Sequence, residues 1–176
     1  MDYMAFHPSS PSASAHDLAK QLAAIFIERG WSLAVAESCT GGLLAASLTD
    51  LAGSSQWFER GYVTYSNAAK SACLQVSPLL IEAQGAVSEA VASEMALGAQ
   101  LSAGVTAAIA ITGIAGPGGG TLDKPVGTVC FGWALQGQNE SNRVTATTAH
   151  FAGDRQAVRQ HAVAYALHGL LQWIDG

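Results

Sequence analysis

Three short stretches of the chain gather residue types suited to nucleophilic and anion-binding chemistry. Ala36–Gly42, AESCTGG, sets a hydroxyl (Ser38), a thiol (Cys39) and a second hydroxyl (Thr40) directly before Gly41 and Gly42. Tyr65–Lys70, YSNAAK, carries a phenol and one of only three lysines, with no acid between them. Thr112–Gly120, TGIAGPGGG, holds five glycines in its last eight residues.

Each stretch has a bland reading beside the chemical one. AESCTGG is a capped helix start, with Ser38 or Thr40 accepting a bond from a free N–H, or the seat of a nucleophile. The two are compatible, because a helix N-terminus also stabilises a developing oxyanion or a bound phosphate. TGIAGPGGG lacks the Gly-Lys-Ser/Thr of a P-loop and does not fit G-x-G-x-x-G. It is a tight crossover loop, or a cradle of backbone N–H groups with the Thr112 hydroxyl at its mouth.

Lys70 is a solvent-facing lysine at a helix start, or a base. As a base it must be neutral, which near pH 7 costs a lysine about 4–5 kcal/mol. An acid-poor, apolar site supplies that by desolvation. His150 is the competing base; His161 and His168 fall in the last helix, where they pack or face solvent. Arg155 and Arg159, four apart, share a helix face and either grip a phosphate or pair with surface carboxylates such as Asp154.

The elements that must position these residues follow from periodicity. Apolar residues at Leu18, Leu22, Ile25 and Phe26 predict a helix over Ala15–Arg29, stopped by Gly30. Ser32–Ala36 reads as a buried strand, Gly41–Thr49 as a helix and Phe58–Tyr65 as a second strand. Asn67–Ser71 and Pro78–Ala83 read as short helices. Ser88 is the expected N-cap of a helix of about four turns. Ala107–Ile111 is a third strand. Gly127–Leu135 and Arg143–His150 alternate and are joined by QGQNESN as a hairpin. Gly153 to about Trp173 closes the chain as a helix.

Strands alternating with helices, then a hairpin, predict a mixed, mainly parallel sheet of about five strands with helices on both faces, a three-layer α/β/α fold. Residues 1–14, with serines and prolines, read as a loose tail, and 15–176 as a single domain. In such sheets functional groups collect beyond the carboxyl ends of parallel strands. All three stretches follow a predicted strand.

Composition narrows the classes. The 176 residues are 49% hydrophobic and 12% charged, which argues against disorder. A net charge of −5 opposes autonomous nucleic-acid binding. The apolar runs break before the ~18 residues a membrane span needs. Cys39, Cys73 and Cys130 are spaced unlike a zinc site or disulfide framework, so no metal is expected and a reducing cytoplasm fits. The first residues lack a basic region followed by an apolar core, so no signal peptide is expected.

Five blocks in order, AESCTGG, GYVTYSNAAK, GAVSEAVASEMA, TGIAGPGGGTLDKPVGTV and FAGDRQAVR, resemble the C-terminal domain of competence/damage-inducible protein CinA. They are especially similar to its stand-alone members, the nicotinamide-nucleotide amidases. The resemblance spans about Ala15 to Trp173. It implies a three-layer α/β/α fold and hydrolysis of nicotinamide mononucleotide to nicotinate mononucleotide and ammonia, in pyridine nucleotide salvage, without metal or cofactor.

Carried over by motif, Ser38 is the nucleophile, Lys70 the base, Tyr65 a supporting hydroxyl, Thr112 an oxyanion or positioning group, and Arg155 a phosphate contact. The loops then offer Thr40, Gly41, Gly42, Asn67, Gly113, Gly116, Gly118 and Gly119 as substrate contacts, with N–H groups around Thr40–Gly42 for the oxyanion. Gln84-Gly85 stands where the family often has His-Gly, a position expected to lie away from the three loops. These 176 residues are not expected to include the family's molybdopterin-binding-like domain, so its activities are not carried over. The competing class is a nucleotide-binding or interaction module without turnover, serving competence or damage response. A homodimer or larger homo-oligomer is expected from the apolar helices.

Overall fold

A computed structural model describes residues 11–137 and 141–175. Of the expected tail, residues 1–10 lie outside that range, while Ser14 caps the first helix by accepting a bond from the Asp17 N–H. That helix, α1 (Ala15–Arg29), buries Leu18, Leu22 and Phe26 and ends at Gly30 in the left-handed conformation. β1 (Leu33–Glu37), α2 (Leu43–Thr49) and a 3₁₀ turn at Ser54–Gln56 follow, then β2 (Phe58–Val63). α3 (Asn67–Leu74), α4 (Pro78–Gln84) and α5 (Glu89–Ala103) precede β3 (Ala107–Gly113), β4 (Thr128–Gln136), β5 (Asn142–His150) and α6 (Arg155–Asp175).

The order is the expected one; the boundaries differ for local reasons. α2 starts two residues later than predicted, because Gly41 and Gly42 sit at φ 57° and 97°, outside the helical region. β2 stops at Val63, so Thr64 and Tyr65 leave the strand. In the predicted hairpin turn, residues 138–140 lie outside the described range; on either side of them the Gly137 N–H donates to the Ser141 carbonyl at 2.7 Å.

The five strands are ordered β2-β1-β3-β4-β5. β2, β1 and β3 are parallel, β4 opposes β3, and β5 opposes β4. Four of the five strands therefore run the same way. Strand alternation sends Leu33, Val35, Ile109, Ile111, Phe131 and Trp133 into one core with α1, α2 and α6. Ala36, Ala108, Ala110 and Ala134 face the other, beneath α5. Small residues on that second face let helix backbone come close.

The same economy of side chain joins α5 to α3. A Cβ at Gly98 would land on the Leu74 carbonyl, at the end of α3. Gly98→Ala should therefore overpack this contact and destabilise the fold by about 1–3 kcal/mol. A lower urea midpoint with an unchanged slope would register it.

Candidate active site

The last paired residues of the three parallel strands are Val63, Glu37 and Ile111. One step further, the Thr64 N–H donates to the Glu37 carbonyl at 2.8 Å and the Ser38 N–H to the Ile111 carbonyl at 2.9 Å. Thr64, Ser38 and Thr112 thus form a row at the carboxyl edge of the sheet, on the face covered by α3 and α5. Register continues the row through Cys130 and Thr148.

Lys70 reaches this row from α3, whose N-cap Ser66 accepts a bond from the Ala69 N–H. Lys70 and Leu74, one turn apart, form the buried face of α3. The amine lies 3.0 Å from Ser38 Oγ and donates to the Thr64 carbonyl at 2.9 Å. No carboxylate touches it among the described residues. Lys70 is 1% exposed and Ser38 8%. Burial pulls the Lys70 pKa below its ordinary 10.5, against a weaker opposing effect of the Cys39 charge. The site thus contains a hydroxyl and an amine made easier to deprotonate, in hydrogen-bond contact.

Alternation also separates the three side chains of the first loop. Glu37 points to the opposite face from Ser38, toward α2. Its Oε2 accepts from the Gly42 and Leu44 N–H groups at 3.1 and 3.0 Å, and Oε1 from Ala45 at 2.9 Å. A buried carboxylate therefore caps α2 and fixes the turn that carries Ser38. Sequence reasoning missed this role; the signal was an acid at the end of an apolar strand, six residues before the start of α2. Cys39 also turns away from Lys70, into the core with α2 and α6. Burial pushes its thiol up to about 11, partly offset by its own amide and by Arg155 and Arg159.

Glu37 changes which amides are free. The N–H of Gly41 donates to the Ser38 carbonyl and that of Gly42 to Glu37, so neither is open to an oxyanion as expected. The amides of Cys39 and Thr40 bond to no other described residue. Those two, directly after Ser38, are the donors of the loop not committed to another residue.

α6 ties the three loops together. Asp154 caps it by accepting from the Ala157 N–H. Arg155 donates to the Gly116 carbonyl at 2.8 Å and to the Tyr65 hydroxyl at 3.1 Å. Arg159 donates to the Thr40 carbonyl at 2.8 Å. Tyr65 remains 60% exposed. The two arginines act on the loops rather than on surface carboxylates.

Other expected residues stand differently. The Thr112 hydroxyl donates to the Ala86 carbonyl at 2.9 Å, so its one proton is committed there. Lys124 Nζ donates to the Gln84 carbonyl at 3.0 Å. The Gln84–Ala86 segment therefore lies against the third loop, not away from it. Gly113 packs its Cα on Val129 and the Thr128 carbonyl, with no room for a Cβ. Gly116 is buried, while Gly118 and Gly119 are exposed. Asn67 lines a groove between α3 and α4 with Ala68, Ser71, Pro78 and Ile81. His150 Nδ1 lies 3.2 Å from Thr128 Oγ1, on the far strand of the sheet. Three strand spacings, about 14 Å, separate β5 from β1, too far for His150 to take the Ser38 proton. Among the described residues no group of three or more His, Cys, Asp or Glu is placed to hold a metal ion. No helix among them is long and apolar enough to cross a membrane.

The CinA C-terminal domain model matches residues 15–174. The nicotinamide-nucleotide amidohydrolase PncC of Enterobacter agglomerans is 50% identical over 157 residues, covering 89% of this chain and 93% of that protein. Its namesake from Escherichia coli K12 is 49% identical over 156 residues, covering 88% and 92%. A crystal structure of competence damage-inducible protein A from Klebsiella pneumoniae MGH 78578 superposes with a TM-score of 0.87 at 40% identity, covering 93% of this chain and 98% of that one.

The thiol environments are testable directly. Cys73 is exposed, whereas Cys39 and Cys130 are buried, and burial raises both of their pKa values. Iodoacetamide at pH 8 should modify Cys73 alone in the native protein and all three thiols after denaturation, as read by peptide mass. Rapid native labelling of Cys39 would contradict the placement of its side chain.

Proposed function

This chain belongs to the CinA C-terminal domain family, and from that premise we propose that it hydrolyses the carboxamide of nicotinamide mononucleotide to nicotinate mononucleotide and ammonia, through Ser38 and Lys70. The observation that carries this is the 3.0 Å contact between a buried lysine amine and a serine hydroxyl, with no acid beside it. The activity named for two relatives about half identical along nearly their full lengths supports the substrate. A pure binding module has no use for a desolvated base held against a hydroxyl.

The steps follow from the groups present. Ser38 Oγ adds to the carboxamide carbon while neutral Lys70 takes its proton. The Cys39 and Thr40 amides, held by the turn and uncommitted to another residue, are the donors assigned to the oxyanion of the tetrahedral intermediate. Lys70, now an ammonium, gives its proton to the departing nitrogen, which leaves as ammonia. Water then attacks the Ser38 ester, Lys70 again acting as base, and the acid departs as Ser38 Oγ regains a proton. The Thr64 carbonyl orients the amine throughout.

Arg155, exposed and beside Tyr65, is the proposed phosphate contact. Thr112 is assigned a supporting role, holding the Ala86 segment against the row. Gly41 and Gly42 serve the turn's conformation rather than substrate binding. The reaction returns a pyridine nucleotide to salvage from its amide form. Residues 15–176 carry it as one domain.

Purified protein should release ammonia and nicotinate mononucleotide in equal amounts. Ser38→Ala should lower kcat by roughly 10³-fold or more, with Cys39→Ala retaining most activity. Lys70→Arg keeps the charge but cannot lose a proton, and should be nearly as inactive as Lys70→Ala. Because the neutral amine is the active form, kcat/KM should rise with pH as Lys70 deprotonates, along a limb lying below 10.5. A fully active Lys70→Arg, or an active Ser38→Ala, would sink the mechanism.

A further inference from the structure

Arg159 has no place in the reaction as described. It lies one helical turn beyond Arg155 on α6 and donates through Nη2 to the Thr40 carbonyl at 2.8 Å. It pairs with no carboxylate among the described residues. Its Nε–H is buried and without a partner, and so is the hydroxyl of the same Thr40. An always-charged guanidinium with a donor left unused is a cost that a surface arginine would avoid by turning to water. The side chain is held inward by its bond to the Thr40 carbonyl.

Taking the hydrolysis above as the reaction, we infer that Arg159 is a positioning residue for the turn that presents Ser38. Glu37 grips that turn by its N–H groups, and Arg159 grips it by its carbonyl. The two contacts are charge-assisted, and both anchors lie outside the reacting atoms. Between them they leave the Cys39 and Thr40 amides free and fixed. A Cβ on Gly41 would come within 3.8 Å of Arg159 Nη2, so the guanidinium lies against the turn's backbone. Its charge also acts on the neighbouring Cys39 thiol, favouring the thiolate against the effect of burial. The same field favours negative charge on an oxyanion held by those amides.

This role differs from a phosphate contact in what it changes. A contact to the phosphate binds ground state and transition state alike, and its loss raises KM. Loss of a positioning group lowers kcat, by as much as about 100-fold for a displacement near 1 Å.

Arg159→Gln and Arg159→Lys should be compared with the full wild-type chain on nicotinamide mononucleotide and nicotinamide riboside, with circular dichroism and Tm alongside. For Arg159→Gln, kcat should fall by about tenfold to 100-fold, with KM for the nucleotide changed less than about threefold. The same factor should be lost on the riboside. Arg159→Lys, keeping charge without the fork, should recover part of the loss. Unchanged kcat in both variants would overturn the inference. So would a raised KM confined to the nucleotide, which would make Arg159 a phosphate contact.

If Arg159→Gln does not fold, Arg159→Lys decides alone: reduced kcat supports positioning, and wild-type kcat overturns it. If the wild type itself releases no ammonia, the proposed reaction fails. Amide hydrogen exchange of Cys39–Gly42 then tests Arg159 separately. Faster exchange in the variant supports its grip on the turn, and unchanged exchange removes it.

Discussion

A lysine amine shut away from water, bonded to a hydroxyl and a carbonyl but to no acid, is an expensive thing for a fold to keep. An ammonium there lacks its counter-charge, and a neutral amine gives up the hydration it would have outside. The surrounding structure meets that cost in a particular way. α3 buries the lysine stem with Leu74 on one face, and α5 clamps α3 through the Gly98–Leu74 contact. The Thr64 carbonyl, left over where β2 ends, supplies the acceptor. Had a carboxylate stood in its place, it would have held Lys70 as an ammonium and removed the base.

The other half of the site comes from the opposite layer. Because successive strand residues face opposite ways, Ser38 meets α3 while Glu37 and Cys39 turn toward α2 and α6. The acid is thereby kept on the far side of the sheet from the amine, satisfied by three backbone N–H groups. α6 reaches over the strand ends with Arg155 and Arg159 and draws the three loops together. Arg155 and Arg159 bring positive charge to the loops, and the buried carboxylate of the first loop is bound by the N–H groups at the start of α2. One layer supplies the base, the other supplies the anchors.

Much of this layout is legible in the chain. The strands and helices follow from period and caps, because burial on one face imposes those periods on the sequence. Ser38 and Lys70 are marked by motif, and their meeting follows from the strand-end rule for α/β sheets. Their contact distance does not. The missed contacts link positions far apart in the chain, as Arg159 is to Thr40, or depend on which way one side chain bends. Glu37 reads as the end of an apolar strand until α2 folds back over it. His150 reads as a base near a strand end, but strand order, fixed only in three dimensions, removes it by two intervening strands. Thr112 bonds to a segment expected to lie away from the three loops.

The central claim concerns the charge on one nitrogen, and it can be observed without turnover. The chain has three lysines, Lys20, Lys70 and Lys124, so a protein labelled with ¹³C at lysine Cε gives few resonances. The one lost in Lys70→Arg identifies Lys70. Its chemical shift, followed against pH in the resting protein, should move at a pH below the ordinary lysine value, showing a neutral amine available beside Ser38. A Lys70 resonance that titrates at or above that value, with the amine charged throughout the range of activity, would contradict the account.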